Sequence, residues 1–183
     1  DLQEYGGGLR GHLRVFANTT AVTDFMPEIL PTFLAANPKV NIDLQEKPNA
    51  EIARGVLDGR ADLGIVAGQV DTLGLQALHF STDRLVLVTP PTEAWRAIGE
   101  AAFAEVLHER FVGMHRGSTL QTFLDGVGQQ LGHTLKLRIQ LASFDAMCRM
   151  VAAGVGIAVV PESGAQRYAA SAHVHQIRLR DAW

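Results

Sequence analysis

Two short stretches place hydroxyl side chains where a predicted strand gives way to a predicted helix. The first is the Asn-Thr-Thr triplet at 18–20, and the second is the His-Arg-Gly-Ser-Thr segment at 115–119. The first turn of a helix exposes unpaired backbone N–H groups, and the helix dipole favours negative charge there. Both stretches therefore predict a donor-rich element that binds a small anion. Capping of the following helix is the alternative role for each hydroxyl.

The sequence lacks the patterns of covalent, metal or cofactor chemistry. Ser118 and His115 are only three residues apart and have no orienting acid, so we predict no hydrolase. There is no P-loop and no dinucleotide-binding glycine pattern. His173 and His175 are predicted to share one face of a strand, but no third metal ligand is nearby. We predict no enzyme, no metal site and no cofactor.

Composition excludes two further classes. The chain has 16 Lys and Arg against 19 Asp and Glu, and no basic run, which argues against direct nucleic-acid binding. No apolar stretch approaches the roughly 18 residues of a membrane span. Cys148 is the only cysteine, so an intrachain disulfide is excluded, and its apolar neighbours predict a buried, unreactive thiol on a helix.

Strand and helix patterns alternate along the chain and predict an α/β fold. Strands at 13–17, 40–45 and 63–66 are separated by helices near 25–34, bent at Pro31, and 51–58, which makes two βαβ units and a parallel sheet. Extended segments are predicted at 75–80 and 85–89. A second cycle has helices at 103–107, 119–131, 143–153 and 161–170 and strands at 111–114, 135–141, 155–160 and 174–179.

The two cycles predict two lobes. Residues 1–10 form a glycine-rich linker, residues 11–88 and 161–183 form lobe I, and residues 89–160 form lobe II. The chain would cross between lobes near Val88–Pro90 and Val160–Pro161, which predicts a hinge with a cleft between the lobes.

Five motifs in order resemble those of LysR-type effector-binding domains. They are Gly11 to Val15; Leu30-Pro31-Thr32-Phe33 with Asn37 to Val40; Leu57 to Ile65; Leu85 to Val88 with Pro90; and Val151 to Pro161, similar to the family's "V-A-A-G-x-G-I-x-x-x-P". Each motif is weak alone, but together they span about 150 of the 183 residues in the right order.

The resemblance implies a type 2 periplasmic-binding-protein fold with mixed sheets flanked by helices. It also implies a cytoplasmic bacterial transcriptional regulator that works as a dimer or tetramer. Such a regulator contacts DNA only through an N-terminal winged helix-turn-helix, which is outside this sequence, and does not involve the membrane. Its effector is expected to be a small molecule, here a carboxylate or other anion. The alternative is an exported solute-binding protein of a transporter, which would share the fold.

The resemblance also extends the list of candidate ligand contacts beyond the two donor-rich stretches. It adds positions after strands two and three, the start of the helix that follows Ser143, and the rim near Pro161. For Phe144, packing in the core is the alternative to ligand contact. The candidates are Asn18, Thr19, Thr20, Asn49, Ala67, Gly68, Met114, His115, Gly117, Ser118, Thr119, Phe144 and Val160.

Overall fold

The structure is a computed structural model that describes residues 11–68, 70–72 and 74–183. The linker predicted at 1–10 lies outside the described residues. Contacts group the chain into two compact units, one up to Phe80 and one from Ser81 onward. No helix among the described residues is both long and apolar enough to cross a membrane.

The first unit is built on a three-stranded parallel sheet. Its strands are β1 (Gly11–Ala17), β2 (Val40–Glu46) and β3 (Leu63–Ile65), in the order β2-β1-β3. The register places Ala17 opposite both Glu46 and Ile65, so all three strands end at the same edge. The parallel sheet predicted from the two βαβ units is confirmed.

Two helices connect these strands. A π-helical segment, Ala21–Phe25, leads into α1 (Met26–Ala36), and α2 (Asn49–Leu57) joins β2 to β3. The α1 helix continues through Pro31 and ends at Asn37, whose backbone N–H and side-chain amide both donate to the Phe33 carbonyl, at 3.0 and 2.9 Å. Asn is suited to a helix end because its short amide can satisfy a terminal carbonyl.

The core of the first unit is small and depends on close approach between α2 and the sheet. Phe16, Ile52 and Ala61 are buried together. A Cβ on Gly55 would lie 2.6 Å from the Phe16 ring, and one on Gly64 would lie 2.6 Å from Cγ2 of Ile52. Both glycines are therefore needed for the helix to pack this closely on the strands.

An exposed ion pair ties β1 to the turn before β3. The Arg14 guanidinium donates to both carboxylate oxygens of Asp62, at 2.8 and 3.2 Å, and the Arg14 backbone N–H donates to the same side chain at 2.8 Å. Hydrogen bonds from the Arg14 side chain, then from its backbone, lower the pKa of Asp62 from 3.8 to about 2.

The second unit contains a four-stranded sheet and a separate strand pair. The sheet has the order β5-β9-β4-β8, with β4 antiparallel to both neighbours and β5 parallel to β9. The pair consists of parallel β6 and β7. The strands are β4 (Leu85–Thr89), β5 (Glu100–Ala101), β6 (Arg110–Met114), β7 (Lys136–Leu141), β8 (Ala158–Pro161) and β9 (His175–Leu179).

Five helices pack around these strands and enclose two apolar clusters. One cluster is centred on Phe103, Phe111 and Ile177, and the other on Met147 and Val88. The helices are α3 (Glu93–Arg96), α4 (Phe103–Val106), α5 (Thr119–Gln130), α6 (Phe144–Ala152) and α7 (Glu162–Ala172). Each of the four helices predicted for this half is confirmed to within two residues at either end.

The strand predicted at 75–80 is wrong. Described residues in this segment adopt no strand, and the Leu78 side chain is 82% exposed. Phe80 packs edge-on against Phe25, with ring centroids 5.8 Å apart. Phe80 is thus held by a ring contact and not by a neighbouring strand, whereas Leu78 is left exposed.

The segments predicted to cross between lobes are hydrogen-bonded neighbours. Strand β4 runs antiparallel to β8, with Val86 opposite Val160 and Leu85 opposite Pro161. Both strands belong to the compact unit that begins at Ser81, whereas the predicted lobe I includes residues 81–88 and 161–183. The lobe boundaries and the hinge remain predictions.

Candidate ligand site

The first-unit candidates gather at the edge where the parallel strands end. Asn18 follows β1, Asn49 begins α2 after β2, and Ala67 and Gly68 follow β3. The Asn18 backbone N–H donates to the Ile65 carbonyl at 3.1 Å, and the Lys47 N–H donates to the Ala17 carbonyl at 2.9 Å. In open α/β sheets this carboxyl-end edge is the usual place for a ligand.

Asn18 and Thr20 have different roles at the start of the π-helical segment. The Asn18 side-chain oxygen accepts the Ala21 N–H at 2.9 Å, and the residue is only 6% exposed, so Asn18 caps the segment. The half-buried Thr20 hydroxyl makes no side-chain capping bond. Of these two side chains, Thr20 is therefore the better placed to donate to a ligand.

Thr19 is engaged by a carboxylate that the sequence reasoning missed. Its hydroxyl donates to Oε1 of Glu46 at 2.6 Å, across the ends of β1 and β2. A bound anion would have to compete with Glu46 for this donor. The parallel register, which pairs Ala17 with Glu46, is the signal that could have brought Glu46 to notice.

Asn49 fixes the backbone after β3. Its side-chain amide donates to the Ala67 carbonyl at 2.6 Å and accepts the Ala67 N–H at 3.1 Å. This two-bond arrangement holds the chain where it leaves the sheet and leaves Ala67 and Gly68 exposed. Asn49 thus positions the two neighbouring candidates.

The second-unit candidates form a loop and a helix start. Ser118 is 4% exposed, and its hydroxyl oxygen accepts the Gln121 N–H at 3.1 Å, which caps α5. Gly117 has φ of 85°, a left-handed conformation that favours glycine, so it allows the chain to turn into the cap. As an acceptor in the cap, the Ser118 hydroxyl keeps its own proton for a further acceptor.

Two glutamines hold the end of β6 from which this loop departs. Oε1 of the buried Gln121 accepts the Met114 N–H at 3.0 Å, and Nε2 of Gln140 donates to the Met114 carbonyl at 2.9 Å. The Met114 side chain itself is buried in the apolar core. Sequence reasoning missed both glutamines, because neither is adjacent in sequence to Met114.

His115 extends the parallel pairing of β6 with β7 by one hydrogen bond, and the chain then leaves the sheet. Its backbone N–H donates to the Leu141 carbonyl at 2.8 Å, and its Nδ1 lies 3.1 Å from the Arg116 carbonyl oxygen. The half-buried ring is followed by exposed Arg116, whose guanidinium gives the loop cationic character. Thr119 follows as the first residue of α5.

Phe144 and Val160 lie in the core of the second unit. Phe144 is 2% exposed and Val160 is fully buried, and both belong to the cluster that contains Met147. The α6 helix that Phe144 begins is capped by Ser143, whose Oγ accepts the Ala146 N–H at 3.3 Å, as predicted. Packing is thus the role that burial favours for Phe144.

Side chains that could hold a metal ion do not come together in the described part of the chain. No cluster of three or more His, Cys, Asp or Glu residues is present among the described residues. The prediction that His173 shares a strand face with His175 is wrong, because β9 begins at His175 and His173 has φ of 56°. Burial raises the pKa of the Cys148 thiol to about 11, so the thiol is protonated near neutral pH.

The family model for the LysR substrate binding domain matches residues 6–182. The chain belongs to this family. The resemblance seen in the five ordered motifs is therefore confirmed, together with the two-lobed α/β fold of LysR effector-binding domains.

Relatives of this LysR domain include regulators and ligand-bound structures. A "Probable RuBisCO transcriptional regulator" of Porphyra purpurea is 28% identical over 187 residues, which cover 99% of this chain and 58% of the relative. The chain thus spans little more than half of that protein's length. The regulatory domain of Synechocystis CcmR, in complex with 2-PG, has a TM-score of 0.79 at 20% identity, covering 93% of this chain and 82% of the other.

A third similar structure is the BenM effector-binding domain with its effector benzoate. Its TM-score is 0.74 at 16% identity, over 93% of this LysR chain and 78% of the BenM chain. At these identities the structural likeness establishes the fold alone.

Proposed function

We propose that this LysR domain senses a small anionic effector and thereby controls transcription by the intact regulator. The proposal rests on two groups of hydrogen-bond donors, one where β1 passes into the π-helical segment and one where β6 passes into α5. In the first unit the Thr20 hydroxyl is left out of the cap, and in the second the Ser118 hydroxyl oxygen accepts in the cap and so keeps its proton. In this proposal the effector accepts hydrogen bonds from both Thr20 and Ser118.

The charged residues near each group of donors limit which effector can bind there. Arg116, next to the Gly117 turn, and the start of α5 favour an anionic group on the second unit. On the first unit, Glu46 engages Thr19 and disfavours a second carboxylate there. A molecule with one acidic group and a polar, uncharged end fits both. Benzoate, the effector of BenM, shows that relatives of this fold accept a carboxylate.

Sensing requires that the effector binds one conformation better than another, because a ligand shifts an equilibrium only by its difference in affinity. We propose that binding draws the predicted hinge segments, β4 and β8, into one of two arrangements. The intact protein would transmit this change to a DNA-binding region, in the cytoplasm, without enzymatic turnover of the effector. Membership of the LysR family favours this function over that of an exported solute-binding protein.

We also propose that the chain forms a homodimer through α1. Ile29, Phe33 and Leu34 of this helix are 45%, 37% and 36% exposed. Large apolar side chains that share an exposed helix face are typical of protein–protein interfaces. Dimerisation would let effector binding alter the spacing of two attached DNA-binding regions.

A thermal-shift screen of small carboxylic acids tests the effector proposal. A true effector raises the melting temperature with a logarithmic dependence on its concentration, since it binds the native state only. In calorimetric titrations, Thr20→Ala and Ser118→Ala should each weaken its binding by about 1 kcal/mol, roughly fivefold. Ser81→Ala, at an exposed serine outside both strand-to-helix passages, is the matched control. Unchanged affinity in both test variants would refute the proposed contacts.

A further inference from the structure

A groove separate from the first-unit candidates runs between helix α5 and strand β7. It encloses about 380 Å³, which is within the range of small-molecule sites. Its lining combines the apolar side chains of Leu135 and Leu137 with polar residues of α5 and β7. Gly117 belongs both to this groove and to the effector contacts proposed above, and Arg116, which lines the groove, also places positive charge beside those contacts.

Two opposite charges line the groove without pairing with each other. They are Arg116, in the loop before α5, and Asp125, which is half-buried on α5. Neither forms an ion pair with any described residue, and Asp125 accepts one hydrogen bond, from Nε2 of Gln121 at 2.8 Å. A carboxylate accepts several hydrogen bonds, so Asp125 retains acceptor capacity.

Two glutamines of the lining are held in place by hydrogen bonds. Gln121 is 3% exposed, and both ends of its side-chain amide are used, one by the Met114 N–H and the other by Asp125. Gln140, on β7, is fixed by its bond to the Met114 carbonyl. A groove whose walls are already fixed loses little conformational entropy when it binds a ligand.

We propose that this groove is a second small-molecule site, which takes an amphoteric molecule carrying both an acidic and a basic group. Arg116 binds the acidic group, Asp125 binds the ammonium group, and Leu135 and Leu137 contact the aliphatic part between them. Exposed Thr122 and Gln129 on α5 supply further hydrogen-bonding groups along the rim.

The test uses linear probes of one chain length and different end groups. Backbone amide NMR shifts of the 183-residue chain are followed in titrations with 6-aminohexanoate, hexanoate and hexylamine, and then with 4-aminobutyrate to measure length preference. The shifts should map to residues 116–140, and 6-aminohexanoate should bind about fivefold more tightly than either singly charged probe.

Two substitutions assign the end groups. Asp125→Asn removes the charge but keeps an oxygen that can accept from Gln121, so it should abolish the preference for 6-aminohexanoate over hexanoate without unfolding the wall. Arg116→Gln should abolish the preference over hexylamine. Equal binding of all three probes, shifts outside the groove, or an unchanged preference in either variant would overturn the proposal.

Thr20→Ala separates this site from the effector site. Thr20 lies outside the groove lining, so groove binding should be unchanged in this variant while effector binding weakens. Loss of 6-aminohexanoate binding in Thr20→Ala would contradict the proposal of a separate groove site. The failure of every carboxylic acid to act as an effector would leave the groove result standing.

Discussion

At the level of single residues, the structure explains why position 156 of the "V-A-A-G-x-G-I" motif is a glycine. A Cβ at this position would overlap the Arg110 carbonyl oxygen, which accepts the Ile157 N–H at 2.8 Å. The Ile157 carbonyl in turn accepts the Val112 N–H at 2.8 Å. The second glycine of the "G-x-G" motif therefore lets this chain segment approach β6.

Gly156→Ala should destabilise the protein by about 1–3 kcal/mol, because backbone atoms must shift to admit the methyl group. The measurement is urea unfolding at equilibrium. Gly126→Ala is the matched control, since a Cβ there meets nothing within 4 Å in the middle of α5. Replacing a helical glycine in open space should stabilise by up to about 1 kcal/mol. Equal effects of the two substitutions would contradict the close contact.

Residue roles were predictable from the sequence where they depend on near neighbours. The Ser143 cap and the turn at Gly154, with φ of 77°, follow from local patterns of helix ends. The engagement of Thr19 by Glu46 and the support of Met114 by Gln121 and Gln140 depend on strand register and helix packing, which a single sequence does not encode locally.

At the scale of elements, the hydrophobic periodicity predicted every strand and helix that is long enough to show a period. The exceptions are short or paired over a long distance. The α3 helix has four residues, and β5 has two residues that exist as a strand only by pairing with Arg178 and Leu179. The segment at 75–80 has strand-like composition but no partner strand, so composition alone was misleading.

The ion pair between Arg14 of β1 and Asp62, just before β3, should make the stability of the protein depend on pH. The pKa of Asp62 is about 2 in the folded chain against an ordinary 3.8, so the folded state binds this proton less readily than the unfolded state. The stabilisation by the Arg14 pair should thus be complete above about pH 4 and be lost as the pH falls towards 2. Unfolding curves across this window, for the parent chain and Asp62→Asn, measure it.

An Arg14→Gln variant isolates the cause of the shift. Carboxyl-carbon NMR should show the pKa of Asp62 rising in this variant, without reaching its ordinary value, because the backbone N–H of residue 14 still donates to the carboxylate. An Asp62 pKa that stays near 2 in Arg14→Gln would contradict the role assigned to the guanidinium.

At the scale of the whole molecule, family and fold were predictable because they depend on the order of motifs along the chain. The division into two lobes stays a prediction. The C-terminal strand β9 pairs with β4 and β5, so contacts group it with residues 81–183, whereas lobe I was predicted to include it. Pairing partners far apart in sequence decide such boundaries.

The exposed face of α1 gives a test of self-association. Leu34→Asp places a charge in the proposed interface and should convert dimers to monomers in sedimentation-velocity experiments. Leu78→Asp is the matched control, because Leu78 is 82% exposed but is not on α1. A parent chain that sediments as a monomer at high concentration, or a Leu34→Asp variant that remains dimeric, would rule out this interface.

We propose that the chain binds one small anion through donors at two strand-to-helix passages. Native mass spectrometry after incubation with a mixture of small carboxylic acids tests it directly. We predict a single adduct per chain, recovered chemically unchanged, that is lost when Thr20 and Ser118 are both replaced by Ala. A chain that retains no acid, or an adduct that persists equally in the double variant, would contradict the claim.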